Sequence, residues 1–193
     1  MIIGITGGTG CGKTTLLNVI RDCGGTVLDC DAIYHELLET DMQLLADIEA
    51  RFPGTVENGQ LQRKKLGAIV FQDKNALKAL GAITGGAIRK EVMRRLEKRS
   101  ELIAIDAIGL FEGKYDALCD VTVAVTAPEA CRVQRLVQRD GITEEYARSR
   151  IAAQRPQQDF VALCDHQLHN DGTQGDFRKK CLAFLAGLGI IKG

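Results

Sequence analysis

An apolar stretch, Met1-Ile2-Ile3-Gly4-Ile5, runs straight into Gly7-Gly8-Thr9-Gly10-Cys11-Gly12-Lys13-Thr14, which fits GxxxxGK[ST]. Behind it, in Thr15-Leu16-Leu17-Asn18-Val19-Ile20-Arg21 and on to Cys23, apolar residues at 16, 17, 19, 20 and 23 recur at helical spacing. Strand, glycine-rich turn and helix in that order constrain the chain to a fold in which backbone N–H groups and a helix N-terminus face phosphate oxygens. Lys13 then reaches the β- and γ-phosphates, and the Thr14 hydroxyl holds Mg²⁺. A glycine turn that only packs a helix on a sheet leaves Lys13 without a purpose.

Strand and helix patterns alternate along the remaining chain. Gly24-Gly25 stops the first helix, and Thr26-Val27-Leu28-Asp29 reads as a second strand, with a helix through 32–37 after it. Thr40 and Gln43 have capping-box spacing for a helix through Leu44, Leu45 and Ile48. Pro53-Gly54 and Asn58-Gly59 are turns. A helical pattern runs from Leu61 to Leu96, with a break expected at Gly85-Gly86. Ser100 precedes a third strand, Leu102-Ile103-Ala104-Ile105-Asp106, and Val121-Thr122-Val123-Ala124-Val125 is a fourth. Pro128 fits the first turn of the next helix. After Gly141 a helix is predicted from Thr143 towards Arg155, ended by Pro156; His166-Gln167-Leu168-His169 is a short fifth strand and 176–185 a closing helix. The alternation predicts an α/β fold with a parallel sheet covered on both faces. The long helical interval between the second and third strands reads as an insertion in one domain.

Ligands of an open parallel sheet bind beyond the carboxyl ends of its strands. Asp31 follows the second strand and Asp106 ends the third, so both are expected at the nucleotide. Asp106 can hold Mg²⁺ through water, and Asp31 can accept the proton of an attacking hydroxyl. The plainer reading makes Asp29 and Asp31 an N-cap and a turn acid. Arg132, Arg135 and Arg139 share a helix face at i, i+3, i+7, and Arg148, Arg150 and Arg155 follow the Gly141 turn. These six arginines read either as a lid over phosphates or as a solvated face partly neutralised by Asp140, Glu144 and Glu145. Arg139, beside the Asp140-Gly141 turn, is the one singled out. Cys11 stands at a helix N-terminus, where a thiol pKa is expected to fall, although a plain small-residue role also fits.

Other readings fall away. Asp106-Ala107-Ile108-Gly109 matches the DxxG of GTP switches, but no NKxD guanine-reading motif follows. Cys164, His166 and His169 lack zinc spacing, and on a strand the two histidines point to opposite faces. A net charge of +0 and sparse aromatics without Trp give no general case for nucleic acid or an anionic membrane. No apolar run approaches a membrane span, and the opening core strand leaves no room for a signal peptide. Seven cysteines, odd in number and without CxxC, read as reduced thiols of a cytoplasmic protein. No pattern specifies an oligomer.

Taken together, these residues resemble the dephospho-CoA kinase family over nearly the whole chain. The run from Gly4 to Thr14 is similar to that family's phosphate loop, with Cys11 where Ser is usual. Asp29-Cys30-Asp31 matches its Asp-x-Asp, and Arg63-Lys64-Lys65-Leu66 with Ile69-Val70-Phe71 matches a stretch on the CoA side. Leu110-Phe111-Glu112 matches the end of a PLLFE-like segment, in which Ile108 replaces the proline and Gly109 a leucine. Gln134-Arg135, Arg139-Asp140-Gly141 and Arg150-Ile151-Ala152-Ala153-Gln154 resemble the lid. Ala162-Leu163-Cys164-Asp165 through Asn170-Asp171-Gly172 is similar to the segment against the adenine of ATP. Gly85-Gly86 replaces the family's His-Pro after Ile83-Thr84, which implies more flexible CoA-side helices.

The resemblance implies a three-layer P-loop kinase fold with a parallel five-stranded sheet. Its core is 1–36, 100–131 and 157–193, its helical CoA-side region 37–99 and its lid 132–156. It implies ATP-dependent phosphorylation of the ribose 3′-hydroxyl of dephospho-CoA, giving CoA and ADP, with ATP and Mg²⁺ in the site. By the match, Gly8, Gly10, Cys11, Gly12, Lys13, Thr14, Thr15, Arg139 and Asn170 bind ATP. Asp31, Arg63, Ile88, Arg89 and Glu112 bind the acceptor, and Thr14 and Asp106 hold the metal. Lys13, Asp31 and Arg139 carry the chemistry. The alternatives are a kinase of this fold for another small hydroxyl substrate, such as a nucleotide or shikimate, and a non-catalytic nucleotide-binding protein.

Overall fold

The computed structural model describes residues 1–97 and 101–191, so Ser100, expected ahead of the third strand, lies outside the described residues. Along the chain the elements are β1 (Ile2–Thr6), α1 (Lys13–Asp22), β2 (Thr26–Asp29), α2 (Cys30–Thr40), α3 (Met42–Arg51), β3 (Val56–Glu57), β4 (Gln60–Leu61), α4 (Arg63–Val70), α5 (Lys74–Leu96), β5 (Ile103–Asp106), β6 (Val121–Thr126), α6 (Glu129–Asp140), α7 (Glu144–Ala152), α8 (Gln157–Leu163), β7 (His166–His169) and α9 (Gln174–Gly187). They form two compact units, Met1–Leu28 with Ser100–Gly193, and Asp29–Arg99.

The first unit is built on the predicted parallel sheet, with strand order β2-β5-β1-β6-β7. Side chains alternate across a strand. Ile3 and Ile5 of β1 and Val121, Val123 and Val125 of β6 therefore share a face, where Leu16, Leu17, Val19 and Ile20 of α1 and Phe177, Cys181 and Leu185 of α9 close over them. On the other face a Cβ at Gly4 would lie 2.8 Å from Cys119 Sγ, so only glycine lets that loop rest on the sheet. All six residues of β6 are buried, as a central strand of a three-layer fold requires. The register brings Thr6, Asp106, Thr126 and His169 to the carboxyl ends of adjoining strands, where the site is built.

In the second unit α5 packs with α2, α3 and α4, burying Ile33, Leu37, Leu44, Ile48, Leu66 and Val92. The Asn58-Gly59 turn joins β3 to β4, with φ of 52° and 73°, the paired positive values of a tight hairpin. No helix among the described residues is long and apolar enough to cross a membrane.

Several local expectations are corrected. Thr40 does not cap α3: its hydroxyl donates to the Glu36 carbonyl at 2.8 Å in the last turn of α2. Asp41 caps instead, its carboxylate accepting from the N–H groups of Gln43 and Leu44 at 2.9 and 3.0 Å. The helical pattern read from Leu61 begins at Arg63, because Leu61 belongs to β4. It breaks after Phe71, where Asp73 caps a new helix, and α5 then runs through Gly85-Gly86 without interruption. Each glycine costs that helix roughly 0.5–1 kcal/mol relative to alanine, and the packing of α5 on its neighbours overrides the cost. Pro128 stands at the N-cap of α6 rather than in its first turn. Pro156 opens a helix, α8, that the periodicity does not announce, and α7 ends earlier, at Ala152.

Candidate active site

Between β1 and α1 the chain turns on glycines of positive φ: Gly7 at 141°, Gly10 at 76° and Gly12 at 101°. Side chains do not fit along this loop. A Cβ on Gly7 would lie 2.2 Å from the Val125 carbonyl oxygen, one on Gly8 2.5 Å from Arg132 Nη2, and one on Gly12 2.2 Å from Asn170 Nδ2. Helix α1 starts at Lys13 with no side-chain cap among the described residues and no acid in its first turn. Its first N–H groups and the positive end of its dipole are thus left for an anion.

Lys13 Nζ donates to the Gly7 carbonyl at 2.9 Å and stands 4.0 Å from Asp106 Oδ1, a buried atom at the end of β5. The ammonium is therefore tied to the loop at the strand ends. Thr14 follows in the first turn of α1 and is exposed. Its hydroxyl and the Asp106 carboxylate are hard oxygen donors, a set that fits Mg²⁺. Cys11 departs from expectation. Its thiol is fully buried, and that burial raises its pKa although Arg132 and Lys13 pull the other way.

The outward carbonyls of the loop are held by α6. Arg132, only 4% exposed, donates through Nε to the Thr9 carbonyl at 2.8 Å. Arg135 donates to the Gly10 and Cys11 carbonyls at 3.2 and 3.4 Å and to Asn170 Oδ1 at 3.0 Å. Asn170 Nδ2 in turn donates to the Cys11 carbonyl at 2.9 Å, and Gln154 Oε1 accepts the Thr9 N–H at 2.8 Å. Gln157 Oε1 accepts the Ala127 N–H at 2.9 Å, and the Cys11 thiol lies 3.5 Å from it. The spacing that puts Arg132, Arg135 and Arg139 on one face does not mark the first two as loop clamps. The loop carbonyls they hold are more than a hundred residues away, and no local pattern carries that pairing. Beside the loop lies a cavity of about 390 Å³ lined by Gly12, Thr15, Arg135, Asn170, Gly172 and Gln174.

Arg139 is exposed and pairs with Asp140 at 2.6 Å, and Asp140 also holds Arg150 at 2.7 Å. Arg155 pairs with Glu112. In the second unit the Asp29 carboxylate accepts from the N–H groups of Asp31 and Ala32 at 2.9 and 3.0 Å, which makes Asp29 the N-cap of α2. Asp31 is exposed in the first turn. Arg63 Nη2 lies 3.3 Å from His35 Nδ1. Ile88 and Arg89 are partly buried on α5, and Arg89 lines a groove of about 710 Å³ with Gly86, Lys90 and Arg94.

The sequence profile of the dephospho-CoA kinase family matches residues 1–176. The chain belongs to this family. The dephospho-CoA kinase of Geobacillus kaustophilus is 33% identical over 191 residues, covering 96% of this chain and 95% of that one. Among solved structures, a Thermus thermophilus protein superposes with a TM-score of 0.81 at 33% identity, covering 97% of each chain. The dephospho-CoA kinase of Campylobacter jejuni gives 0.70 at 25% identity, covering 97% of this chain and 96% of that one. The resemblance carried by the loop, Asp29-Cys30-Asp31 and the arginine segments is thus borne out, and this dephospho-CoA kinase family member has the three-layer P-loop kinase fold.

Proposed function

We propose that this kinase transfers the γ-phosphoryl group of ATP to the ribose 3′-hydroxyl of dephospho-CoA, giving CoA and ADP, the last step of coenzyme A biosynthesis. The observation that carries the reading is Lys13, held over a loop of obligatory glycines, in a chain matched by the family profile over residues 1–176. That match over residues 1–176 favours dephospho-CoA over a nucleotide or shikimate acceptor, and a catalytic role over a silent one.

In this reading the loop from Gly8 to Thr15, with Arg139 and Asn170, takes the ATP, and Lys13 neutralises charge on the transferred group. Asp31, assigned through the Asp-x-Asp match, accepts the 3′-hydroxyl proton as the new O–P bond forms and the bond to ADP breaks. Thr14 and Asp106 would hold Mg²⁺, whose charge offsets that of the phosphates. Arg139 exchanges Asp140 for phosphate and excludes water, since an open site would hydrolyse ATP. Arg63, Ile88, Arg89 and Glu112 are assigned to the acceptor. Residues 37–99 are accordingly assigned as the acceptor-side region, and 132–156 as the lid. Seven free thiols suit a reducing cytoplasm, and balanced charge suits small-molecule partners rather than nucleic acid.

The test is ADP release with dephospho-CoA, shikimate and nucleosides as acceptors. Stimulation by dephospho-CoA alone is expected, and stimulation by another acceptor in its place would reassign the substrate. Asp31→Asn is expected to reduce turnover by roughly 10²- to 10⁴-fold with ATP binding retained. Near-normal turnover would remove Asp31 from the role of base.

A further inference from the structure

The six arginines between 132 and 155 fall into two sets. Arg139, Arg148, Arg150 and Arg155 each have a carboxylate partner, in Asp140, Glu129, Asp140 and Glu112 respectively. Among the described residues Arg132 and Arg135 have only neutral acceptors. Arg132 is the more extreme: it is 4% exposed, with the Thr9 carbonyl 2.8 Å from Nε and Gln154 Oε1 3.4 Å from Nη2. A buried guanidinium with only neutral acceptors carries an uncompensated charge, which an anion bound at the loop would balance. It also lies directly on the phosphate loop. A Cβ on Gly8 would meet its Nη2 at 2.5 Å, and one on Gly10 would meet its carbonyl oxygen at 2.9 Å. The C=O and N–H of one trans peptide point in opposite directions. By holding the Thr9 carbonyl outward, Arg132 turns the Gly10 N–H inward.

We infer that Arg132 is a positioning residue of the phosphate loop: it aims the Gly10 N–H at the polyphosphate and takes the bound phosphates as its counter-ion. This rests on the proposed function only in that the loop binds ATP; no acceptor is involved.

The test is calorimetric titration of ATP, ADP and adenosine into the full chain and into Arg132→Gln and Arg132→Lys, without acceptor, at low and high salt. Loss of a charged hydrogen bond predicts that Arg132→Gln weakens ATP and ADP by about tenfold or more, leaves adenosine unchanged and flattens the salt dependence. Arg132→Lys is expected to restore part of the ATP affinity. If Arg132→Gln does not fold, the ratio of ATP to adenosine affinity in Arg132→Lys decides, and a ratio equal to the parent's overturns the inference. So does unchanged ATP affinity in Arg132→Gln, or adenosine affinity that falls in step with ATP, which is the mark of plain packing. A parent that binds ATP yet does not phosphorylate dephospho-CoA removes the proposed function and leaves the role of Arg132 standing. A parent that binds no ATP removes both.

Discussion

Asn170, just beyond β7, donates from Nδ2 to the Cys11 carbonyl at 2.9 Å, and the same nitrogen lies 2.2 Å from where a Cβ on Gly12 would be. The last strand of the sheet thereby sets the last turn of the phosphate loop. Gly12→Ala must hold a φ of 101° as well as displace that amide. The backbone strain alone is worth about 1–3 kcal/mol. Asn170→Ala removes two side-chain hydrogen bonds, to the Cys11 carbonyl and from Arg135, and leaves that carbonyl to Arg135, a loss of about 1–2 kcal/mol. Urea unfolding should rank Gly12→Ala as the more damaged, and the reverse order would mean the loop relaxes freely around position 12.

Lys13→Ala removes a lysine tied to this loop through the Gly7 carbonyl at 2.9 Å. Loss of a preorganised charge at a reacting phosphate predicts a fall in turnover of roughly a hundredfold or more. Circular dichroism of the variant should match the parent, which separates loss of chemistry from loss of fold. Retained turnover would remove the phosphate-loop assignment.

The parts of the fold legible in the sequence are those fixed by neighbours in the chain. Thr26–Asp29 is a strand because Gly24-Gly25 ends the helix before it and Asp29 caps the helix after it. The loop is legible for the same reason, since its glycines answer a local need for positive φ. Gly85-Gly86 misleads because propensity weighs about 1 kcal/mol per residue and tertiary packing on α5 weighs more. Thr40 misleads because Asp41, one residue on, is the better cap, and Thr40 still belongs to the last turn of α2. Arg132 and Arg139 are indistinguishable by spacing. One is clamped to Thr9 and the other to Asp140, and that difference exists only once the strands are assembled.

Asp140 receives hydrogen bonds from Arg139 and Arg150, and the Arg139 bond is the larger cause that holds its pKa down from 3.8 to about 2. A carboxylate whose pKa is lowered on folding contributes stability above its unfolded pKa and loses it as pH falls through the folded value. The α6–α7 turn should therefore be unaffected between neutral pH and about pH 4 and weaken between about pH 4 and pH 2. The group is exposed, so the effect on global stability is small, and the sensitive readout is the Asp140 carboxyl carbon by NMR. A midpoint near 3.8 would mean the pair does not persist in solution.

Burial of Cys11 raises its thiol above the ordinary value of 9.0, against the pull of Arg132 and Lys13. The thiolate is the reactive form, so Cys11 should be alkylated by iodoacetamide at neutral pH only slowly, and far faster after unfolding in urea. Peptide mass mapping over time should place it after the partly exposed Cys23 and Cys131. Labelling of Cys11 ahead of both would show that the loop opens in the absence of nucleotide.

Gly85 and Gly86 sit inside α5, where a Cβ at either position meets nothing within 4 Å. Neither has a positive φ, so alanine fits both without strain. Each replacement should stabilise the protein by roughly 0.5–1 kcal/mol, because alanine loses less conformational freedom on entering a helix. A rise in the urea midpoint with unchanged slope is the expected signature. Gly86 lines the same groove as Arg89, and Gly85 does not. If that groove receives the acceptor, Gly86→Ala raises the KM for dephospho-CoA while Gly85→Ala leaves it alone, and both keep the KM for ATP. Equal acceptor KM values in the two variants would put the acceptor elsewhere, and with it the assigned role of Arg89.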